Sequence, residues 1–210
     1  MKKELETRTY SVQLETREDG EAGVITGRPI VYNSRTNLGM FDEEIASGAL
    51  NGADLNDVRL CLNHDTSYVY ARSRRNNPNS TMQLEPNEFG LDIRANLAIK
   101  ESPKAQDYFS AVSRGDIDKM SFMFSVEDEE WRDLDSDHPL RIIKKFGTIV
   151  EVSAVTFPAY NTTSISARCK EALDNARSAL ESARQQNAKS LDSDQTELAL
   201  LKAKLKIIGG

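Results

Sequence analysis

The chain has 210 residues, of which 39% are hydrophobic and 29% charged, and its formal net charge is −6. This composition is typical of a globular protein that buries its own core, and the negative balance argues against general affinity for nucleic acid. Cys61 and Cys169 form no CxxC pair, so we expect no disulfide framework and a reducing cytoplasm. Without a signal-like N-terminus or a run of about 20 apolar residues, the chain is predicted to be soluble and intracellular.

The first third of the chain has the pattern of β-strands. Alternating apolar and polar residues over 8–16, followed by an apolar run over 23–32, predict an antiparallel hairpin around a polar turn. Pro29 in the second strand indicates an edge or a bulge. Residues 42–50 are predicted to form a short helix with Asp42 as its N-cap.

The central part adds further strands and one helix. An apolar strand over 58–63 leads directly into His64. Ser102 and Pro103 open a helix that ends at Gly115, because serine is a favoured N-cap and proline a favoured first helical residue. The remaining predictions are strands over 81–84, 91–99, 119–126, 140–145 and 147–156, with an acidic loop over 127–138.

The composition changes at residue 167. Residues 1–166 hold 19 basic and 27 acidic side chains, a net of −8, whereas residues 167–210 hold 8 and 6, a net of +2. The second part has apolar residues at heptad spacing in two segments. We therefore predict an α+β domain over 1–166 and a helical tail over 167–210. The tail is either a solvated helix pair or, as we favour, an assembly segment or pro-segment, because alanine-rich core positions make a weak isolated helix.

Histidine is the first candidate for chemistry, and the chain has two. His138 lies in a polar loop and is predicted to be a surface residue. His64 ends an apolar strand and is followed by Asp65, and histidine is the usual general base because its ordinary pKa is near neutral. On its own, a histidine in this position is more often structural than catalytic.

Ser121 and Glu151 are candidates for a nucleophile and an orienting acid. Ser121 interrupts a strand of bulky residues and leaves room for a substrate carbonyl; the alternative is a strand serine bound to backbone. Glu151 lies in an otherwise apolar strand, where a carboxylate needs a partner such as an imidazolium; the alternative is a surface residue on an edge strand. A Ser–His–acid set would perform acyl transfer, but spacing leaves open whether the three residues meet.

Four sequence blocks lie in a characteristic order over roughly residues 23–168. They are 25–33 with 38–50, then 58–65 ending in Asn63-His64-Asp65, then 90–124 containing Met120-Ser121-Phe122-Met123-Phe124, and lastly 150–160, which reads Val-Glu-Val-Ser-Ala-Val-Thr-Phe-Pro-Ala-Tyr. Each block alone is a weak motif, whereas four in order across one domain are specific. Together they resemble the prohead (capsid maturation) serine proteases of tailed bacteriophages, which are related to herpesvirus assemblin.

The resemblance implies roles for individual residues. His64 would be the general base, Ser121 the acyl-forming nucleophile and Glu151 the residue that orients His64, with no cofactor and no metal. The backbone amides of Ala159 and Tyr160 would form the oxyanion hole. The implied fold is α+β, a small mixed and mostly antiparallel β-barrel with surrounding helices, to which the helical tail is attached.

The resemblance also implies a biological setting. Such a protease works inside the immature phage capsid in the host cytoplasm, where it cleaves a scaffold protein or the scaffolding region of the major capsid protein, and itself. The tail over 167–210 would be a scaffold-contacting segment or a pro-segment lost by self-cleavage. Self-association is a further implied property, because assemblin relatives depend on dimerisation. Nucleic acid and membranes are not expected as partners.

Three alternatives come from the residues themselves. Cys61 could act as a nucleophile with His64, but the two lie three residues apart on a predicted strand and should face opposite sides. A non-catalytic capsid assembly or scaffolding protein with the same fold would fit the coiled-coil-like tail, although it has no need of all three candidate residues. A metal at His64 and Asp65 would lack a further cluster of ligands.

Overall fold

The structure is a computed structural model that describes residues 4–11, 14–20, 22–157 and 169–186. The chain divides into two compact units, Met1–Cys169 and Lys170–Gly210. The strands and the first helix, in chain order, are β1 (Glu6–Ser11), β2 (Glu15–Asp19), β3 (Ala22–Val31), β4 (Thr36–Asn37), β5 (Asp42–Ile45), β6 (Asp57–Leu62), β7 (Ala71–Arg74), β8 (Met82–Asn87), β9 (Gly90–Leu97), α1 (Pro103–Ser113), β10 (Lys119–Arg132) and β11 (Leu140–Val155). A second helix, α2, covers residues 169–186.

The strands form two sheets. A seven-stranded sheet has the order β1-β10-β11-β5-β4, with β6 also paired to β11 and β7 paired to β6, and a four-stranded sheet has the order β2-β3-β9-β8. Strand β11 pairs in parallel with β5 and with β6. The α+β class is confirmed, but the predicted barrel is not found, since no strand pairing within the described residues joins the two sheets. The sheets bury their apolar faces in a common core instead of closing through hydrogen bonds.

The core draws on both sheets. Ile25 and Ile93 from the four-stranded sheet lie in one buried cluster with Phe122 and Val152 from the seven-stranded sheet. The residues of β10 and β11 therefore alternate between this core and the opposite face of the sheet. That opposite face carries Ser121 and Glu151, the predicted nucleophile and acid.

Helix α1 is confirmed with the start that the sequence predicts. The hydroxyl of Ser102 accepts the N–H of Ala105 at 3.3 Å, and Pro103 is the first helical residue. The residues that α1 buries recur at helical spacing and are Ala105, Tyr108, Phe109 and Val112. In the part of the chain that the structure describes, no helix is long and apolar enough to cross a membrane.

Helix α2 lies in the segment predicted as a helical tail. It is a continuous helix over residues 169–186. The second helical segment predicted for the tail lies outside the described residues. The domain division after residue 166 therefore stays a prediction.

The helix predicted over residues 42–50 is wrong. Asp42–Ile45 is the strand β5, paired in parallel with residues 140–143 of β11, and turns follow it. Glu43 and Ile45 are buried, whereas the residues that alternate with them are partly exposed. Pairing with a strand about 100 residues later in the chain outweighed the local helix signal.

The acidic loop predicted over residues 127–138 is in large part a strand. β10 continues to Arg132 and pairs with β11 from Leu140 onwards, with register shifts between Met123 and Glu129. The Trp131 ring packs edge-on against a phenylalanine ring at 4.9 Å, and this cross-strand and tertiary packing keeps a charged segment extended. The two strands predicted over 140–156 are likewise one long strand, β11.

A buried cluster of charged residues, Glu6, Arg8, Glu43 and Arg141, anchors β1 to the larger sheet. Arg8 donates to the two carboxylate oxygens of Glu43 at 2.5 and 2.7 Å. Arg141 donates to Glu43 at 3.0 Å and to Glu6 at 2.7 Å. Sequence reasoning missed this ion-pair cluster. Because buried charges persist only when they are paired, the cluster fixes β1 beside β10, where Ser121 lies.

Candidate active site

His64 lies in a tight turn at the end of β6. The strand runs parallel to β11 through residues 59–62, and the turn closes where the N–H of Asp65 donates to the carbonyl of Leu62 at 3.0 Å. Asn63 and His64 have φ values of 52° and 61°, and two consecutive positive values are the mark of a type I′ turn. Residues with side chains rarely adopt such angles unless their surroundings hold them there.

Hydrogen bonds to β11 and to Thr156, the residue that follows it, hold this turn in place. The N–H of Asn63 donates to the carbonyl of Ala154 at 2.9 Å. The side-chain oxygen of Asn63 accepts the N–H of Thr156 at 2.9 Å. The N–H of His64 donates to the hydroxyl of Ser153 at 3.1 Å. These bonds set the position of the imidazole relative to β11.

Glu151 and His64 form a pair at this position. Oε1 of Glu151 contacts Nδ1 of His64, and Oε2 accepts the hydroxyl of Ser153 at 2.8 Å. The Glu151 side chain is 0% exposed and that of His64 is 23% exposed. An ionised carboxylate only accepts hydrogen bonds, so we assign the proton to Nδ1 and the lone pair to Nε2. Nε2 is buried and makes no hydrogen bond within the described residues, which leaves it able to take a proton.

Ser121 lies on the same face of the sheet, one strand away. It is the register partner of Ser153 across the β10–β11 pair, so the two side chains project to the same side. Ser121 is fully buried, and its hydroxyl donates to the carbonyl of Arg8 in β1 at 2.8 Å. The described structure contains no hydrogen bond between Ser121 and His64. The structure thus brings His64 and Glu151 together and leaves the Ser121 hydroxyl turned towards β1.

Ser153 is a member of this group that sequence reasoning missed. It lies two residues after Glu151, so strand alternation puts both side chains on one face. The signal was present in the sequence as two polar residues spaced i and i+2 within the otherwise apolar stretch 149–155.

A family model described as Caudovirus prohead serine protease matches residues 10–177. The chain belongs to this family. The match confirms the resemblance drawn from the four sequence blocks and covers His64, Ser121 and Glu151. No curated protein and no solved structure gives a significant match to this prohead protease.

Cys61, the alternative nucleophile, is a buried thiol of this prohead protease. It is the parallel register partner of Ser153. Because β6 ends at Leu62, the expected strand alternation between Cys61 and His64 does not apply, and other properties must exclude Cys61. Burial, reinforced by the charge of Glu151, raises the pKa of Cys61 to about 12. Because the thiolate is the reactive form of cysteine, Cys61 stays an unreactive thiol at neutral pH.

The remaining residues considered in the sequence analysis are His138, Asp65, Ala159 and Tyr160. Nε2 of His138 pairs with Asp42 at 2.8 Å on the surface, as expected for a surface histidine. Asp65, part of the metal alternative, is exposed. Within the described residues, no three His, Cys, Asp or Glu side chains are placed to hold a metal ion. Ala159 and Tyr160, the predicted oxyanion-hole residues, lie outside the described residues.

A pocket of about 190 Å³ opens beside the turn that carries His64, and its lining residues are Leu62, Asn63, Asp65, Tyr68 and Tyr70. The rings of Tyr68 and Tyr70 pack edge to face with centroids 4.7 Å apart. The Tyr68 hydroxyl is held by the hydroxyl of Ser102 at 2.8 Å. The pocket therefore has a fixed aromatic wall next to the candidate base.

Proposed function

We propose that this chain is a serine endopeptidase in which Ser121 is the nucleophile, His64 the general base and Glu151 the residue that orients His64. The observation that carries the proposal is the His64–Glu151 pair, whose Nε2 is buried and has no hydrogen-bond partner within the described residues. Membership of a serine protease family supports the reaction type.

In the proposed mechanism, Ser121 Oγ attacks the carbonyl carbon of the scissile peptide while its proton passes to Nε2 of His64. The imidazolium that forms is stabilised at Nδ1 by the Glu151 carboxylate. Backbone N–H groups of Ala159 and Tyr160 would bind the oxyanion. The C–N bond then breaks as Nε2 returns the proton to the leaving amine, and water hydrolyses the acyl-enzyme by the same steps.

Catalysis by this route requires the Ser121 side chain to change rotamer. Its hydroxyl donates to the carbonyl of Arg8 at 2.8 Å, and it must turn away from β1 to reach Nε2 of His64. A change between staggered χ1 positions turns a serine hydroxyl without moving the backbone, and this is the movement that the proposal requires. Catalytic hydrogen bonds commonly align only when substrate is bound, so the contact with Arg8 is consistent with a resting state.

The proposed substrates are a scaffold protein or the scaffolding region of the major capsid protein, and the chain itself. Cleavage would take place inside the immature capsid in the host cytoplasm. The family match is the support for this setting. The tail over 167–210 would be a scaffold-contacting segment or a pro-segment, and a compact unit beginning at Lys170 is consistent with a removable segment.

A second candidate function is that of a non-catalytic capsid assembly or scaffolding protein with the same fold. One observation favours it: the Ser121 hydroxyl is fully buried and already bonded to the carbonyl of Arg8. In this case the three candidate residues would be structural.

Intact mass measurements on the wild-type chain and on Ser121→Ala test the two functions. Each chain is purified alone and after co-expression with the major capsid protein. The protease proposal predicts cleavage products of the chain or of the capsid protein in the wild type and none with Ser121→Ala. Equal cleavage in both preparations would exclude Ser121 as the nucleophile, and no cleavage in either would favour the assembly function.

A further inference from the structure

We propose that Ser153 is a positioning residue that fixes the base and the acid of the candidate active site with a single hydroxyl group. The inference rests on the proposed function, because it takes His64 as the base and Glu151 as the orienting acid. Ser153 is 0% exposed, and its Oγ is bonded to the N–H of His64 at 3.1 Å and to Oε2 of Glu151 at 2.8 Å.

Chemistry dictates the directions of these two bonds. The backbone N–H of His64 can only donate, so Ser153 Oγ accepts there with a lone pair. The Glu151 carboxylate can only accept, so the hydroxyl proton of Ser153 points at Oε2. The hydroxyl thus has no proton left for any other partner, and each of its bonds engages one member of the pair.

The bond to Oε2 restricts rotation of the Glu151 carboxylate. The last torsion of a glutamate side chain is broad and roughly two-fold, so packing alone holds it loosely. Here both oxygens have a partner, Nδ1 of His64 on Oε1 and the Ser153 hydroxyl on Oε2. With both bonds in place, the plane of the carboxylate is fixed, and so is the edge that it presents to the imidazole.

The bond to the N–H of His64 acts on the other partner. Asn63 and His64 have positive φ values of 52° and 61°, angles that are costly for residues with side chains. The hydroxyl of Ser153 ties the backbone of His64 to β11 at the residue that must place its ring over Glu151. One side chain therefore fixes both the backbone from which the imidazole projects and the orientation of the carboxylate that faces the ring.

Ser125 provides a matched control for a merely structural role. It lies on β10 in the same sheet, is 4% exposed, and its Oγ accepts the N–H of Thr148 at 3.1 Å. Replacing Ser125 or Ser153 with alanine removes one buried hydroxyl that accepts a backbone N–H. The difference is that the change at Ser153 also removes the hydrogen bond that its hydroxyl donates to Glu151.

The test is nitrogen NMR of the full chain labelled with ¹⁵N-histidine. The chain has two histidines, and His138→Gln assigns the spectrum. In the wild type, the signals should show the proton of the His64 ring on Nδ1. Glu151→Gln should shift the ring towards a mixture of tautomers, and Ser153→Ala should shift it in the same direction by a smaller amount. Ser125→Ala should leave the ring signals unchanged.

Two failures can be told apart. If Glu151→Gln changes the His64 signals and Ser153→Ala does not, Ser153 is not a positioning residue although the His64–Glu151 pair stands. If neither variant changes them, the pair itself is absent and the proposed function fails with it. Should Ser153→Ala not fold, Ser153→Cys replaces the hydroxyl with a slightly larger group that is a weak donor. Under reducing conditions, which keep it from pairing with its register partner Cys61, it should give the same shift.

A second readout is the rate at which a fluorophosphonate probe labels the chain. In this reaction the Ser121 oxygen forms a bond to phosphorus, fluoride leaves, and His64 takes the serine proton. Loosening the base and the acid should slow labelling by about 10- to 100-fold in Ser153→Ala. Ser125→Ala should label at the wild-type rate, and an equal loss in both variants would reduce the role of Ser153 to fold stability.

Discussion

The molecule contains two histidine–carboxylate pairs of the same chemistry in different surroundings. His138 pairs with Asp42 through Nε2 at 2.8 Å, with side chains 38% and 25% exposed. His64 pairs with Glu151 through Nδ1, with side chains 23% and 0% exposed. The first pair lies on the surface, and Nε2 of His138 also lies 3.3 Å from an asparagine side chain. In the second pair, Nε2 of His64 is buried and without a hydrogen-bond partner in the described part of the chain.

The contrast shows that a histidine beside a carboxylate is not enough to indicate a base. In the surface pair, Nε2 of His138 is engaged by Asp42 and both side chains are partly exposed, and exposure to solvent weakens such an interaction. The buried pair presents its carboxylate to Nδ1 with a second hydrogen bond from Ser153 and leaves Nε2 unoccupied. The first two sets of changes below each affect one pair and should leave the other pair intact, and the remaining changes test the buried charges and the thiol near these strands.

Replacing the two histidines in turn should give the largest difference. His64→Gln removes the proposed base and should lower cleavage of the capsid protein by about 10⁴-fold or more, as expected for a member of a catalytic set. His138→Gln should cleave at the wild-type rate. The measurement is the initial rate of product formation for both variants, and similar rates in the two would remove the basis for assigning His64 as the base.

Replacing the two carboxylates should give the next largest effect. Glu151→Gln keeps the size of the side chain but removes the charge that stabilises the imidazolium, so we expect a loss in rate of about 10³- to 10⁴-fold. Asp42→Asn, at the surface pair, should leave the rate unchanged. Folding of each variant is checked by thermal unfolding, and a fully active Glu151→Gln would exclude the orienting role.

Substitutions in the ion-pair cluster should lower the free energy of unfolding instead of the rate of cleavage. Glu43→Gln removes the carboxylate shared by two buried arginines, Arg8 and Arg141, and should lower the free energy of unfolding by about 3–5 kcal/mol. The matched change Asp19→Asn removes the carboxylate that Arg17 and Arg94 share at the surface. The Asp19 side chain is 58% exposed, so the change should cost less than about 1 kcal/mol. Urea unfolding measures the loss in free energy for both variants. Equal losses would contradict the claim that the buried ion pairs stabilise the fold more than the exposed one.

The pH dependence of the free energy of unfolding should reveal the lowered pKa of Glu6, which belongs to the same cluster. Burial acts to raise the pKa of Glu6, but the hydrogen bonds and charges of Arg141 and Arg8 outweigh it and lower the pKa from 4.5 to about 2. A carboxyl with a lowered pKa stabilises the fold above its unfolded value and loses that contribution as pH falls through its folded value. The contribution, roughly 3 kcal/mol, is thus complete above about pH 5 and lost towards pH 2.

Glu6→Gln isolates this contribution. Urea midpoints of the wild type should fall steeply between about pH 5 and pH 2, and those of Glu6→Gln should fall less over the same interval. Parallel curves for the two chains would show that Glu6 titrates with its ordinary pKa in the folded state.

The smallest effect is expected at Cys61. Its thiol is buried, and its pKa is raised to about 12 by burial and then by the charge of Glu151, so we expect it to take no part in nucleophilic attack. Cys61→Ala should keep the cleavage rate and lose about 1 kcal/mol of stability through lost packing. A loss of cleavage with an intact fold would revive Cys61 as the nucleophile.

Local signals in the sequence predicted local structure well. The Ser102-Pro103 start of α1 is confirmed because the cap and the first residue act within one turn. The strand before His64 is confirmed as β6, in which the apolar residues Val58, Leu60 and Cys61 are buried. The residue types of the candidate site also came from the sequence, through four blocks whose family is confirmed.

Long-range pairing is what the sequence did not reveal. Arg8 and Glu43 are 35 residues apart, and Glu43 and Arg141 are 98 apart. No local pattern in the sequence therefore predicts the ion-pair cluster. The same holds for β5: its local sequence predicts a helix, and the parallel partner that makes it a strand lies far along the chain. The contact between the Ser121 hydroxyl and the carbonyl of Arg8 depends on β1 lying beside β10, and the role of Ser153 depends on the turn at His64 meeting β11.

The most direct test of the central claim is to map where a fluorophosphonate probe attaches. The wild-type chain is incubated with the probe, digested and analysed by peptide mass spectrometry, alongside Ser121→Ala and His64→Gln. The account predicts the label on Ser121 in the wild type, no label at this position in Ser121→Ala, and strongly slowed labelling in His64→Gln. A chain that stays unlabelled, or a label that persists at wild-type level in Ser121→Ala, would contradict it.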